Sequence, residues 1–137
     1  MTALFADTFF WIALTDATDS AHQRALTLAA EWVSDIFTTD EVLVEYLTFF
    51  ATAHEDLRSR ALAHARRILD EPGIHVIQQS RDSLLSGMAL YGARPDKKYS
   101  LVDCISMQTM RREGLTNVLT SDHHFEQEGF RALFKDS

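Results

Sequence analysis

SLVDCISMQTMRREGLTNVLTSDHHFEQEGF, residues 100–130, reads as a helix, a short strand and a turn. Ser100 is a fair N-cap. From Leu101 to Met110 the apolar residues Leu101, Val102, Cys104, Ile105, Met107 and Met110 point nearly all round, which marks a buried helix. Arg111-Arg112-Glu113 turns polar, the two arginines complementing the dipole at the helix C-terminus, and Gly114 is a natural stop. Asn117 to Thr120 is a strand, and Ser121-Asp122-His123-His124 turns into a short segment that ends at Gly129. Asp103 falls in the first turn of that helix and Asp122 just past the strand.

Working outward, Ala3–Ala6 is a first strand, followed by Asp7, Thr8 and a short helix over Phe9–Leu14. Residues 21–34 have helical spacing, with Ala25, Leu28, Ala29 and Trp32 on one side. Ile36–Thr39 is a second strand, and Thr39 or Asp40 can cap the helix that follows. In that helix, Glu41 to Ala53, residues Val42, Leu43, Tyr46, Leu47, Phe49, Phe50 and Ala53 share one broad face. Glu45 lies at the edge of the face and Glu41 further round, toward solvent. A helix over Glu55–Leu69 breaks at Pro72-Gly73. Ile74–Ile77 is a third strand, and a helix from Ser80 or Arg81 to Tyr91 leads into a basic loop, Gly92–Tyr99. Arg131–Phe134 forms a last edge strand. Short strands alternating with helices predict an α/β fold, a parallel sheet of four to five strands with helices on both faces. Ligands in such sheets bind beyond the carboxyl ends of the strands. Asp7 and Asp122 stand there, and Glu45 lies on the first turns of a helix leaving the same edge.

At 137 residues the chain fits a single domain spanning 1–137. No apolar run approaches the ~20 residues of a membrane span. The N-terminal MTALFADTFFWIALTDA has no basic head and carries Asp7, which argues against a signal peptide. Cys104 is the one cysteine, so no internal disulfide forms, and a cytoplasmic location is the simplest expectation. We read Cys104 as a core thiol. The formal charge of −7 does not suit a protein gripping nucleic acid by charge alone. Bound metal ions can supply positive charge at a reacting phosphate, and an acidic surface also suits a basic protein partner.

Each acid has a plain reading. Asp7 and Asp122 can cap helices, Asp103 can complete a Ser-x-x-Asp capping box with Ser100, and Glu45 can be a solvated helix residue. Together they read differently. Asp103 sits in an otherwise apolar helix, where a charge is costly unless paired or metal-bound. Clustered carboxylates raise one another's pKa, and a divalent cation relieves the repulsion. Mg²⁺ and Mn²⁺ favour such oxygens. The expected centre has Asp7, Asp103 and Asp122 holding one or two ions, with Glu45 binding directly or through water. No side chain stands out as a general base, so the metal must generate the nucleophile.

Four segments carry a resemblance: FADTFFWIAL with Asp7, TTDEVLVEY with Glu45, YSLVDCISM with Asp103 and LTSDHHFEQEGF with Asp122. In order and spacing they resemble the signature segments of the PIN-domain family, and in particular VapC-type ribonuclease toxins, over almost the whole chain. The resemblance implies a PIN-like α/β/α sandwich. It implies metal-binding acids at Asp7, Glu45, Asp103 and Asp122, with Mg²⁺ or Mn²⁺ as cofactor and Thr8 as a small hydroxyl neighbour. It implies endonucleolytic RNA cleavage leaving a 3′-hydroxyl and a 5′-phosphate. The implied partners are an RNA substrate, a cognate antitoxin that blocks the active site, and a second copy in a homodimer. His123 stands where an arginine is frequent in the family.

Other features point less far. None of the six histidines forms a His-x-x-x-His pair or an HExxH, so zinc has no spacing signature. No G-x-S-x-G elbow and no P-loop are present. Phe9-Phe10-Trp11 is expected in the core, or alternatively in a groove for an antitoxin helix. Arg94, Lys97 and Lys98 can guide a phosphate backbone or form a solvated loop. The rival functions are an RNA-processing nuclease without an antitoxin and a non-catalytic acidic module for a basic partner. A haloacid-dehalogenase-type phosphatase fits poorly, because Asp7-Thr8-Phe9 lacks the second acid of Asp-x-Asp. A response-regulator receiver also fits poorly in the placement of its acids and late lysine.

Overall fold

The computed structural model describes residues 3–31 and 35–134. Its centre is a five-stranded sheet of β1 (Leu4–Ala6), β2 (Ile36–Thr39), β3 (Ile74–Ile77), β4 (Asn117–Leu119) and β5 (Arg131–Ala132). The order is β3-β2-β1-β4-β5, and every pairing is parallel. The α/β architecture read from the alternation of short strands and helices is therefore the one observed. The register aligns Leu4 with Ile36 on one side and with Asn117 on the other. β1 is thus the middle strand, and all three of its residues are buried, as a continuous apolar strand covered on both faces requires.

Seven helices accompany the strands among the described residues: α1 (Thr8–Thr15), α2 (His22–Glu31), α3 (Asp40–Phe49), α4 (Glu55–Asp70), α5 (Arg81–Ala93), α6 (Leu101–Glu113) and α7 (His123–Gln127). α6 is the buried helix of the opening stretch, with Cys104, Ile105, Met107 and Met110 all in the interior. Each side chain of that size adds ~1.5–3 kcal/mol when fully buried. Gly114 ends α6 with φ 70°, the left-handed conformation a glycine adopts without strain, and its N–H reaches back to Met110 and Arg111 carbonyls. Cys104 is fully buried, as a core thiol should be.

Several boundaries moved. α3 stops at Phe49, and residues 50–53 leave the helix in turns. Phe50 is buried as expected, but Phe49 is 57% exposed. It sits on the flank of the apolar face, ~120° round from Leu43, where its ring packs edge-on against Phe50. β5 is only two residues long; Leu133 and Phe134 still donate to the Val118 and Thr120 carbonyls but leave strand geometry. Trp32, expected on the apolar side of α2, lies outside the described residues. Phe10 and Trp11 are core residues, 1% and 5% exposed, so Phe9-Phe10-Trp11 does not form an open groove. Trp11 is pinned to the sheet by an Nε1–H bond to Thr38 Oγ1.

α5 and α6 pack closely through Gly87, where an added Cβ would fall 2.4 Å from Ile105 Cγ1 and 3.2 Å from the Ile105 backbone nitrogen. A larger residue there must push the two helices apart. Gly87→Val is expected to lower the unfolding free energy by about 1–3 kcal/mol, measurable as a shift of the urea midpoint at unchanged slope.

Candidate functional site

The chain runs outward from β1 to β2 and β3, then returns to place β4 on the other side of β1. The carboxyl ends of β1 and β4 therefore flank the point where the sheet order reverses, the place where parallel sheets open a crevice. Asp7 directly follows β1, and Asp122 stands shortly after β4.

Asp7 occupies the N-cap position of α1 yet makes no side-chain cap bond. Its Oδ2 accepts from Thr120 Oγ1 at 3.0 Å, and its buried Oδ1 has no hydrogen-bond partner. Burial pushes its pKa up to about 7, and the neighbouring charge of Asp103 pushes the same way. The Thr8 N–H and the Thr120 hydroxyl act in the opposite direction, and Glu45 adds a smaller upward push. The capping reading therefore fails for Asp7.

Glu45 reaches the same place from α3. Thr39 caps that helix by accepting from the Val42 N–H at 3.0 Å, and Tyr46 locks it to α1 through a 2.6 Å contact between the Tyr46 and Thr15 hydroxyls. Glu45 is half-buried, as its place at the edge of the apolar face predicts. Its Oε1 accepts from Thr8 Oγ1 at 2.6 Å, so the residue beside Asp7 holds the glutamate in position.

Asp103 does form the reciprocal box with Ser100: Ser100 N–H donates to Asp103 Oδ2 at 3.1 Å, and Asp103 N–H to Ser100 Oγ at 3.0 Å. Its side chain is nevertheless only 14% exposed. Burial raises its pKa, opposed by the Ser100 N–H and reinforced by the charges of Asp122 and Glu45. Asp122 caps α7 by accepting from the His124 N–H at 2.9 Å. Its own N–H donates to Thr120 Oγ1. For these two acids capping and clustering coexist. Asp103 links the acids: its charge raises Asp7, and the charges of Asp122 and Glu45 raise it in turn.

Three groups at this site had no strong sequence signal. Thr120 bridges Asp7 and the Asp122 backbone. His124 is the inward histidine of its pair, its side chain 20% exposed against 74% for His123. Its Nδ1 is buried without a hydrogen bond, 3.3 Å from Asp122 Oδ1 and 3.9 Å from Asp103 Oδ2. Glu128, almost wholly buried, accepts from Arg94 Nε and Arg111 Nη2, each at 2.8 Å, and from Tyr99 Oη at 2.9 Å. Burial opposes its charge, but these three donors outweigh it and hold its carboxyl at about 2. Burial and the Glu128 bond push Tyr99 to about 12, and its ring stands edge-on to His124 at 5.2 Å. Arg94 is thus committed to Glu128, and Arg111 does more than complement a helix dipole. Lys97 and Lys98 remain at the rim of a polar cavity of about 290 Å³, together with Tyr91, Pro95 and Tyr99.

The donor set fits a divalent cation. Three features support this: an orphaned buried carboxylate oxygen on Asp7, an Asp103 whose pKa is raised by burial and further by its acidic neighbours, and potential ligand atoms on Asp122, His123 and His124 within 4.8 Å of one another.

The PIN domain model matches residues 4–130, and the chain belongs to that family. Among characterised relatives, it is 29% identical over 127 residues to the 23S rRNA-specific endonuclease VapC20 of Mycobacterium tuberculosis, covering 93% of this chain and 95% of that protein. The crystal structure of Mycobacterium tuberculosis VapC20, a Sarcin-Ricin loop cleaving toxin, superposes with TM-score 0.84 at 28% identity, over 93% of this chain and 95% of that one. FitAcB from Neisseria gonorrhoeae (TM-score 0.63, 14% identity, 94% of each chain) shares the fold. So does a toxin–antitoxin complex from Klebsiella pneumoniae (TM-score 0.58, 22% identity, 89% of this chain and 88% of that one).

The Asp7 environment sets a pH dependence. Folded Asp7 keeps its proton up to about pH 7, whereas the unfolded carboxyl ionises near 3.8. The folded state binds the extra proton between those values, so metal-free stability falls as pH rises through that window. In EDTA, Asp7→Asn is expected to be more stable than wild type above pH 7 by up to about 4 kcal/mol, at about 1.4 kcal/mol per pKa unit. That advantage should vanish below pH 4 in urea unfolding of both proteins.

Proposed function

We propose that the chain is a metal-dependent endoribonuclease and the toxin of a type II toxin–antitoxin pair. The observation that carries this reading is Asp7: a buried carboxylate, one oxygen unpartnered, at the end of the central strand and within electrostatic reach of Asp103 and Glu45. A purely recognitive acidic surface has no use for a carboxylate withdrawn from solvent. The likeness to VapC20 over nearly the full length of both chains supports RNA as substrate and puts 23S rRNA first among the targets to assay.

In this reading Asp7, Glu45, Asp103 and Asp122 are both the metal-binding and the catalytic residues. Asp7 offers Oδ1, Thr120 keeps Oδ2 oriented, and Thr8 aims Glu45. Asp103 and Asp122 are held by their own capping bonds, so their carboxylates need little reordering when an ion binds. A bound Mg²⁺ or Mn²⁺ supplies an activated water and stabilises charge on the phosphoryl oxygens. In this reading Lys97 and Lys98, which line the cavity beside Tyr99, contact the RNA backbone, where the acidic chain otherwise repels it.

The same reading assigns a cognate antitoxin and a second copy of the chain as protein partners. Supporting this, α5 exposes Leu85, Met88 and Tyr91 three residues apart, each about half accessible. No helix among the described residues is long and apolar enough to cross a membrane; the reading itself assigns action in the cytoplasm. In this reading residues 1–137 act as a single domain.

The pure protein is expected to cleave RNA with Mg²⁺ or Mn²⁺. EDTA, and separately Asp7→Asn or Asp103→Asn, should each lower the rate by about 100-fold or more. Cleavage persisting in both EDTA and Asp7→Asn would remove this reading. Lys97→Ala and Lys98→Ala should weaken binding of single-stranded RNA in EDTA by fluorescence anisotropy. Each should reduce the slope of log affinity against log salt by about 0.7.

A further inference from the structure

His124 carries a nitrogen that the carboxylate site does not account for. Nδ1 is buried and makes no hydrogen bond, yet it faces Asp122 Oδ1 at 3.3 Å and Asp103 Oδ2 at 3.9 Å. Metal–nitrogen and metal–oxygen bonds of ~2.0–2.2 Å place two neighbouring ligand atoms roughly 2.8–3.1 Å apart at octahedral angles and roughly 3.3–3.6 Å at tetrahedral ones. The first separation lies within a few tenths of an ångström of two donors on one ion, and the second needs a further closure. His123 adds a second nitrogen from the solvent side, its Nδ1 3.9 Å from the same Asp122 oxygen. The ligand atoms of Asp122, His123 and His124 all lie within 4.8 Å of one another.

The ring of His124 is also braced. Tyr99 stands edge-on to it, the Tyr99 hydroxyl is fixed to Glu128, and Glu128 is fixed by Arg94 and Arg111. On the other side the His124 backbone N–H is bound to Asp122. A rigid ring whose buried nitrogen points at acids is preorganised as a donor.

We propose that His124 Nδ1, in its Nε2–H tautomer, is a direct ligand of the ion held by Asp103 and Asp122, with His123 as an outer nitrogen, so that the centre selects a first-row transition metal over Mg²⁺. This rests on the metal-dependent reading above and sharpens it. Imidazole nitrogen suits transition ions, whereas Mg²⁺ prefers oxygen and gives up its water reluctantly.

The probe is Mn²⁺ added to the EDTA-stripped full-length protein. Pulsed electron paramagnetic resonance of the wild type should show a directly coordinated ¹⁴N, absent from His124→Ala and His124→Gln. Calorimetry should show Mn²⁺ affinity falling about 10–100-fold in both variants, with Mg²⁺ affinity changing far less. No ¹⁴N coupling in the wild type overturns the inference, and this result does not depend on any variant folding. Unchanged or tighter Mn²⁺ binding in both variants also overturns it, because the ring would then be a bystander or a competing cation. RNA cleavage runs in parallel. Nitrogen coordination without cleavage keeps the ligand and retires the nuclease; cleavage without nitrogen coordination does the reverse. No Mn²⁺ binding at all removes both.

Discussion

The desolvation of Asp7 is the constraint on which the rest of the site depends. β1 is the middle strand and is covered on both faces, so the residue after it enters a region largely without water. One hydroxyl, from Thr120, answers one of its two carboxylate oxygens. A buried acid left this incomplete works against the fold. It is tolerated because α1, α3 and the sheet are fastened around it by contacts that do not involve it: Trp11 to Thr38, Thr15 to Tyr46, and the packed interior of α6. Stability generated elsewhere thus supports an incompletely hydrogen-bonded carboxylate at the crevice.

Around that position, single groups serve two ends. Asp103 completes a capping box and remains a buried charge among acids. Asp122 starts α7 and faces two imidazoles. Thr8 begins α1 and orients Glu45. At Asp103 and Asp122 the oxygens that accept the capping bonds, Oδ2 and Oδ1, are also the ones nearest His124, so the local rules of helix initiation also aim these two acids. This explains why helix-cap residue types and candidate ligands coincide in the chain.

The alternation of strands and helices made the sheet legible, and period and capping made α6, α3 and the places of Asp7, Glu45, Asp103 and Asp122 legible, because those signals are local. Helical angle set Glu45 at the edge of the apolar face, and the structure leaves it half-buried there, while Glu41, equally half-buried, accepts from Ser83. The misplaced features are tertiary. Phe49 looked apolar and inward, but the flank it occupies at the end of α3 lacks a covering element. The strand at 131–134 shortened because its last two residues keep hydrogen bonds while turning away. His124, Thr120 and Glu128 acquire their roles from partners far along the chain or across strands. Glu128 meets Arg94 across 34 residues and Arg111 across 17. No spacing rule reaches that distance.

The Glu128 clamp has a consequence in acid. Its carboxyl stays ionised until about pH 2, so the tie between the loop at Arg94–Tyr99, the end of α6 and α7 survives far below neutrality. Asp7 takes up its proton near pH 7. In the metal-free protein these two carboxylates therefore answer to opposite ends of the acid range, Asp7 governed by burial and Glu128 by its three donors, so a change of pH that alters the charge at the crevice leaves this one tie in its wall in place.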